Sequence, residues 1–184
     1  MKIYISDVSG FFTEEGLKTL LPLVSEERRK KAERFLKIED KIRCLYAEIL
    51  LKKVHPDMTD KGFLTDENGK PYIPGGAPFS ISHSGKYVAV MVGEGGIDIQ
   101  RMKDVNDGVV KRTLSESEIE FFSAAEDKTD AFFKLWTLKE SVAKKVDNTA
   151  KYNNTQKEQY ALLLNKCKPV FDFSKIDTVL IINE

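Results

Sequence analysis

Residues 2–8 alternate in the manner of a half-buried strand, beginning Lys2-Ile3-Tyr4-Ile5-Ser6. The run Thr13-Glu14-Glu15-Gly16-Leu17-Lys18-Thr19-Leu20-Leu21 predicts a short helix. Ser25 then reads as an N-cap, because Glu26 and Glu27 follow it and Arg28, Arg29, Lys30, Lys31 and Arg34 come later, an acid-to-base order that suits the helix dipole. A longer helix is expected over 39–54, with Ile42, Leu45, Tyr46, Ile49, Leu50 and Val54 on one stripe. Glu67-Asn68-Gly69-Lys70-Pro71 is a turn, and strand-like runs follow at 79–83, 86–92 and 96–100. Helical spacing returns at about 115–125 and 129–146. Residues 147–159 are almost wholly polar and read as a loop, followed by strand-like Val170–Phe173 and Thr178–Ile182. Strand, helices and strands in that order, twice over, predict an α+β arrangement with antiparallel sheet.

The chain has 184 residues, enough for one domain or two fused lobes. At 41% hydrophobic and 32% charged, with 11 Gly and 6 Pro, it falls outside fibrous, low-complexity and disulfide-scaffold compositions. Twenty-nine basic residues balance twenty-nine acidic ones, so no global field draws the molecule to nucleic acid or to an anionic membrane. Cys44 and Cys167 form no C-x-x-C pair, and with only His55 and His83 beside them a structural zinc site is not expected. No apolar run is long enough to span a bilayer, and a cytoplasmic protein is expected.

Candidate chemistry gathers in two segments. In Gly95-Gly96-Ile97-Asp98-Ile99-Gln100 the alternation puts Ile97 and Ile99 on one side and Asp98 and Gln100 on the other. A lone aspartate there is either a solvent-facing residue of a half-buried strand or half of a site. In the helix around Phe132–Lys145, the residues Phe132, Leu135, Trp136, Ala143 and Val146 form an apolar stripe, with Lys139 inside it and Glu140 on its flank. An exposed Glu140→Lys144 pair would contribute only ~0.2–0.5 kcal/mol and leaves the ammonium within the stripe unexplained. A divalent cation shared by Asp98 and Glu140 would satisfy both carboxylates, with Lys139 and Lys144 facing its anion. Neutralising either carboxylate is expected to stabilise the metal-free protein, whether the two only repel or form an acidic site awaiting its cation. Ser82-His83 is no hydrolase nucleophile: nothing resembles G-x-S-x-G, and adjacent residues point to opposite faces of a strand. His83 is either a satisfied turn histidine or a phosphate contact. The basic run 28–34 reads by default as a solvated helix face, and nucleic-acid binding from that run alone is a weak reading.

Three segments together resemble the Sfp-type 4′-phosphopantetheinyl transferase family. Gly96-Ile97-Asp98-Ile99 is similar to its (I/V)-G-(I/V)-D-(I/V) motif, and Trp136-Thr137-Leu138-Lys139-Glu140-Ser141-x-x-Lys144 to its W-(S/T)-x-K-E-S/A-x-x-K motif, about forty residues later. Phe79-Ser80-Ile81-Ser82-His83-Ser84, Gly69-Lys70-Pro71, and Glu27-Arg28-x-x-Lys31-x-x-Arg34-Phe35 with Arg43 resemble further family segments in the family's order. The resemblance covers roughly residues 1–145. It implies transfer of phosphopantetheine from coenzyme A to a serine of an acyl or peptidyl carrier protein, releasing adenosine 3′,5′-bisphosphate. It also implies two similar α+β lobes, 1–92 and 93–184, with coenzyme A between them. By the same resemblance Asp98 and Glu140 hold Mg²⁺, and Lys144 neutralises the leaving phosphate. Glu140, or a water it orients, is the base. Lys139 lies near the phosphates or pantetheine, while Arg28, Lys31 and His83 contact the 3′-phosphate, Arg43 and Lys70 the adenine end, and Ser82 is a further coenzyme-binding residue. Gln100 stands where many relatives carry a second carboxylate, so it is expected to be a weak metal ligand or to act through water. After Lys145 the second lobe is expected to be shortened. A catalytically weak relative that binds coenzyme A or a carrier without efficient transfer is the second expectation. No nucleic-acid or membrane partner is expected.

Overall fold

A computed structural model describes residues 1–145 and the strand at 178–183. The expected loop at 147–159, the expected strand Val170–Phe173, Cys167 and the extent of the second lobe lie outside the described residues. Strand β1 (Lys2–Asp7) leads to helices α1 (Glu14–Leu20), α2 (Glu26–Glu33) and α3 (Ile38–Val54). The caps follow the sequence: Thr13 accepts from the Gly16 amide and Ser25 from the Arg28 amide. Helix α3 buries Ile42, Leu45, Leu50 and Leu51, as its periodicity requires, but also one carboxylate, Glu48. A hairpin follows, with β2 (Leu64–Thr65) and β3 (Pro71–Tyr72) joined through Asp66, whose Oδ1 accepts from the amides of Asn68 and Lys70. Gly69, at φ 87°, takes the left-handed position of that turn.

Strands β4 (Phe79–Ser84) and β5 (Tyr87–Val92) complete a three-stranded antiparallel sheet in the order β1-β5-β4. Its two faces have different partners. Phe79, Val88 and Val90 pack with Ile42, Leu45 and Leu51 of α3 in the larger core, where each fully buried aliphatic side chain contributes ~1.5–3 kcal/mol. Ala89 and Met91, on the other face, pack against Ile97 and Ile99 of β6 (Gly96–Arg101). Strand β6 pairs antiparallel with β7 (Thr178–Asn183), aligning Asp98 with Ile181. Helices α4 (Asp107–Thr113), α5 (Glu116–Ala124) and α6 (Lys128–Lys145) follow β6, and Phe132, Phe133, Leu135, Leu138 and Val142 of α6 form the heart of another apolar cluster. This mixed helix and strand arrangement, with antiparallel pairing throughout the described sheets, is the expected α+β class.

Two local devices hold β6 in place. Along β4 the alternate residues Ser80, Ser82 and Ser84 point one way, and their Oγ atoms accept from the amides of Ile97, Ile99 and Arg101 at 3.2, 3.2 and 2.9 Å. Three hydroxyls thus replace a carbonyl ladder between β4 and β6 and satisfy β6 amides that would otherwise lack partners. At the start of β6, a β-carbon on Gly96 would collide with the Ser141 carbonyl oxygen and sit 2.9 Å from the Lys145 amide nitrogen. Only glycine lets the α6 backbone come this close to β6.

The expected elements at 79–83, 86–92, 96–100, 115–125 and 178–182 form within a residue or two of the expected bounds. Helix α4 is an addition. Its Asn106 cap is conventional, the side chain accepting from the Val109 amide, but Gly108 and the β-branched Val109 and Val110 mask a helical signal in a seven-residue segment.

Candidate active site

The approach of α6 to β6 puts the second half of the helix over Asp98. That carboxylate is not solvent-facing: it is 1% exposed. Its Oδ1 accepts from Lys144 Nζ and from Ser82 Oγ, both at 2.6 Å, and its Oδ2 from Gln100 Nε2 at 3.1 Å. Lys144 Nζ also donates to Ser82 Oγ at 3.0 Å. Lys144 is therefore committed to the buried strand carboxylate and not to an exposed pair one helical turn away. Gln100 shares the face of Asp98, as alternation requires, and serves it as a hydrogen-bond donor. Glu140 is half-buried on the same wall. Burial raises its pKa, the nearby Asp98 charge raises it further, and Lys144 opposes the rise.

These groups line one end of a cavity of about 330 Å³. The same cavity is walled by Arg28, Lys31, Ser82 and His83, so it has an acidic end with its own ammonium and a basic end. Lys31 is exposed, whereas Arg28 is only 8% exposed, so the basic run of α2 is not a uniformly solvated face. The His83 ring reaches solvent, yet its pKa is pushed down to about 4, first by the desolvating protein atoms around it and then by the Arg43 and Lys144 cations. An anion entering the cavity would reverse the cationic part of that shift. The acidic end offers two hard oxygen donors, the set that holds Mg²⁺ when substrate phosphate oxygens complete the shell. Among the described residues no group of three or more His, Cys, Asp or Glu is placed to hold a metal without such a ligand.

Residues 95–162 match the 4′-phosphopantetheinyl transferase superfamily, a stretch that contains both Asp98 and the Trp136–Lys144 segment. The chain is 35% identical over 155 residues to the 4′-phosphopantetheinyl transferase Sfp of Bacillus subtilis (strain 168), covering 78% of this chain and 69% of that protein. The chain belongs to the 4′-phosphopantetheinyl transferase superfamily. It is a transferase. Similarity extends to the 4′-phosphopantetheinyl transferase psf-1 of Bacillus pumilus, at 34% identity over 70% of this chain and 60% of that one. It reaches pptA of Paxillus involutus, at 26% identity over 72% of this chain and 63% of that one.

Of the residues the resemblance singles out, the cavity brings together Arg28, Lys31, Ser82, His83, Asp98, Gln100, Glu140 and Lys144. It does not bring Lys139 to them. The Lys139 ammonium donates to the Thr113 carbonyl and to Glu118 Oε2, both at 2.8 Å. Glu118 is the capping-box residue of α5, accepting from the Ser115 amide at 2.7 Å, so Lys139 ties the end of α4 and the start of α5 to α6. This explains the ammonium inside the apolar stripe without any ligand. Lys70 lines an adjoining cavity of about 190 Å³ that shares Lys144, Gly69 and Pro71 with the first. Arg43 pairs with Asp40, donates to the Gly85 carbonyl and lines a groove of about 970 Å³ that meets the cavity at Gln100. Sequence reasoning missed Glu48, Phe63 and the structural roles of Ser80, Ser84 and Gly96. The Ser-x-Ser-x-Ser alternation and the motif glycine were visible signals for the last three. Among the described residues no helix is long and apolar enough to cross a membrane.

Proposed function

We propose that the chain transfers 4′-phosphopantetheine from coenzyme A to a serine of an acyl or peptidyl carrier protein in a Mg²⁺-dependent reaction. The observation that carries this reading is the bipolar cavity. A 3′-phosphate suits the Arg28, Lys31 and His83 end, and a pyrophosphate suits the Asp98, Glu140 and Lys144 end. Asp98 and Glu140 would hold the metal, with Gln100 at most a weak ligand or one acting through water. When bound, Mg²⁺ supplies charge neutralisation to the pyrophosphate oxygens. Asp98 is held in orientation by its Ser82 and Lys144 donors. The carrier serine oxygen forms a bond to the phosphorus nearest pantetheine as that phosphorus loses its bridging oxygen to adenosine 3′,5′-bisphosphate. Glu140, directly or through a water, receives the serine proton, and its raised pKa brings it nearer the working range of a general base. Lys144 balances the charge that builds on the departing phosphate. Lys70 and Arg43, from the adjoining cavity and groove, would contact the adenine end. In this reading residues 1–92 and 93–184 act as two lobes about the coenzyme.

Incubating the chain with coenzyme A, Mg²⁺ and a panel of apo carrier proteins, and weighing the carriers intact, tests the proposal. A phosphopantetheine adduct on one carrier supports it. Tight coenzyme A binding with no adduct on any carrier would favour the second reading, a weak relative that binds without efficient transfer, to which the neutral Gln100 beside Asp98 lends some support.

A further inference from the structure

Glu48 is the most completely buried carboxylate of α3, 1% exposed, and it takes no part in the chemistry above. A buried charge of this kind is costly unless it is paired and hydrogen-bonded, and Glu48 is both. Its Oε1 accepts from the Ser25 amide at 2.7 Å and lies 3.3 Å from Lys52 Nζ; its Oε2 accepts from Ser25 Oγ at 2.9 Å and from Arg28 Nε at 3.4 Å. The Ser25 that it grips is the N-cap of α2, so Glu48 fixes the start of the helix that carries Arg28. The chain then closes over the hub. Gly62, at φ 78°, passes so near that a β-carbon would lie 2.8 Å from Ser25 Oγ and 3.1 Å from Glu48 Oε2. The next residue, Phe63, sets its ring 4.1 Å from the Arg28 guanidinium carbon.

Arg28 is thus held on three sides: Nε by Glu48, one face by Phe63, and Nη1 by Cys44 Sγ at 3.7 Å. Among the described residues no hydrogen bond engages Nη2, and the side chain forms part of the cavity wall. Two cations, Arg28 and Lys52, surround the single Glu48 carboxylate, which leaves net positive charge behind that wall.

We propose that Glu48 is a positioning residue which, together with Phe63, presents Arg28 to the 3′-phosphate of coenzyme A and so sets the preference for coenzyme A over its 3′-dephospho form. This rests on the reading of the cavity given above. A guanidinium locked before the ligand arrives loses little conformational entropy on binding, so its charge-assisted hydrogen bond contributes more fully to affinity.

The test is calorimetric titration of the full chain, in EDTA, with coenzyme A and with 3′-dephospho-coenzyme A. The wild-type protein should prefer coenzyme A by about tenfold or more. Glu48→Gln keeps an acceptor for Ser25 but discharges the pair with Arg28, and Phe63→Leu leaves the carboxylate hub intact and removes the ring. Each variant should lower the preference several-fold by weakening coenzyme A while leaving the dephospho form nearly unchanged, a selectivity that general loosening of the fold would not produce. If Glu48→Gln does not fold, Phe63→Leu carries the test. Folded variants that keep the wild-type preference would overturn the positioning role and leave the cavity reading standing. A wild-type protein that binds both ligands equally would overturn the 3′-phosphate reading itself.

Discussion

Replacing Lys144 with Met keeps most of the side-chain stem and removes the ammonium from Asp98. Asp98 is 1% exposed and Lys144 Nζ lies 2.6 Å from its Oδ1. Breaking a buried ion pair by removing one partner costs ~3–5 kcal/mol when the remaining charge has no other support. Here Ser82 and Gln100 still donate to the carboxylate, and the Lys144 side chain is 29% exposed, so water already reaches part of the pair. A loss of ~2–3 kcal/mol is therefore expected, and at roughly 2–4 °C per kcal/mol for a chain of this size the melting temperature should fall by about 4–12 °C. The two carboxylates would then face the cavity without their own cation. Mg²⁺ should recover part of the lost stability by mass action, and by more than it stabilises the wild-type protein, where the ammonium already occupies Asp98. The assay is thermal unfolding of both proteins in EDTA and across a Mg²⁺ titration, alongside carrier modification, which should fall sharply in the variant. A Lys144→Met protein that melts with the wild type in EDTA and gains nothing extra from Mg²⁺ would refute the argument that Lys144 compensates Asp98.

Gly96→Ala should push α6 away from β6, because the added carbon meets the Ser141 carbonyl; soluble protein with wild-type activity and stability would contradict this close approach. Sequence alone led us to expect that neutralising either site carboxylate would stabilise the metal-free protein, but the structure separates the two. Asp98→Asn strands the Lys144 ammonium and should destabilise in EDTA, whereas Glu140→Gln relieves a half-buried charge repelled by Asp98 and should be neutral or stabilising; both should nearly abolish Mg²⁺-dependent transfer. The His83 pKa falls from 6.5 unfolded to about 4 folded, so between these values the unfolded chain binds a proton that the native state refuses, and stability declines as pH drops across that window. His83→Gln should flatten this slope in urea unfolding; because the ring is exposed, screening keeps the effect under ~1 kcal/mol.

The sequence by itself determined the elements and the chemistry on offer. Apolar alternation and capping residues are local signals, so β4, β5, β6, α3, α5 and α6 were legible from spacing, and so was the shared face of Asp98 and Gln100. Helix α4 was not, because about two turns containing a glycine and adjacent β-branched residues carry little periodic information. What only the tertiary structure decided was which charges meet. Lys139 and Lys144 lie five positions apart on one helix, yet the first goes to Glu118 and the second to Asp98. The Ser82–Lys144 contact spans 62 positions and the Ser25–Glu48 contact 23. Helical periodicity assigns a residue to a face but says nothing of the charge waiting on the element packed against it. That is fixed by how closely Gly96 lets α6 settle and by how three serines hold β6 against β4.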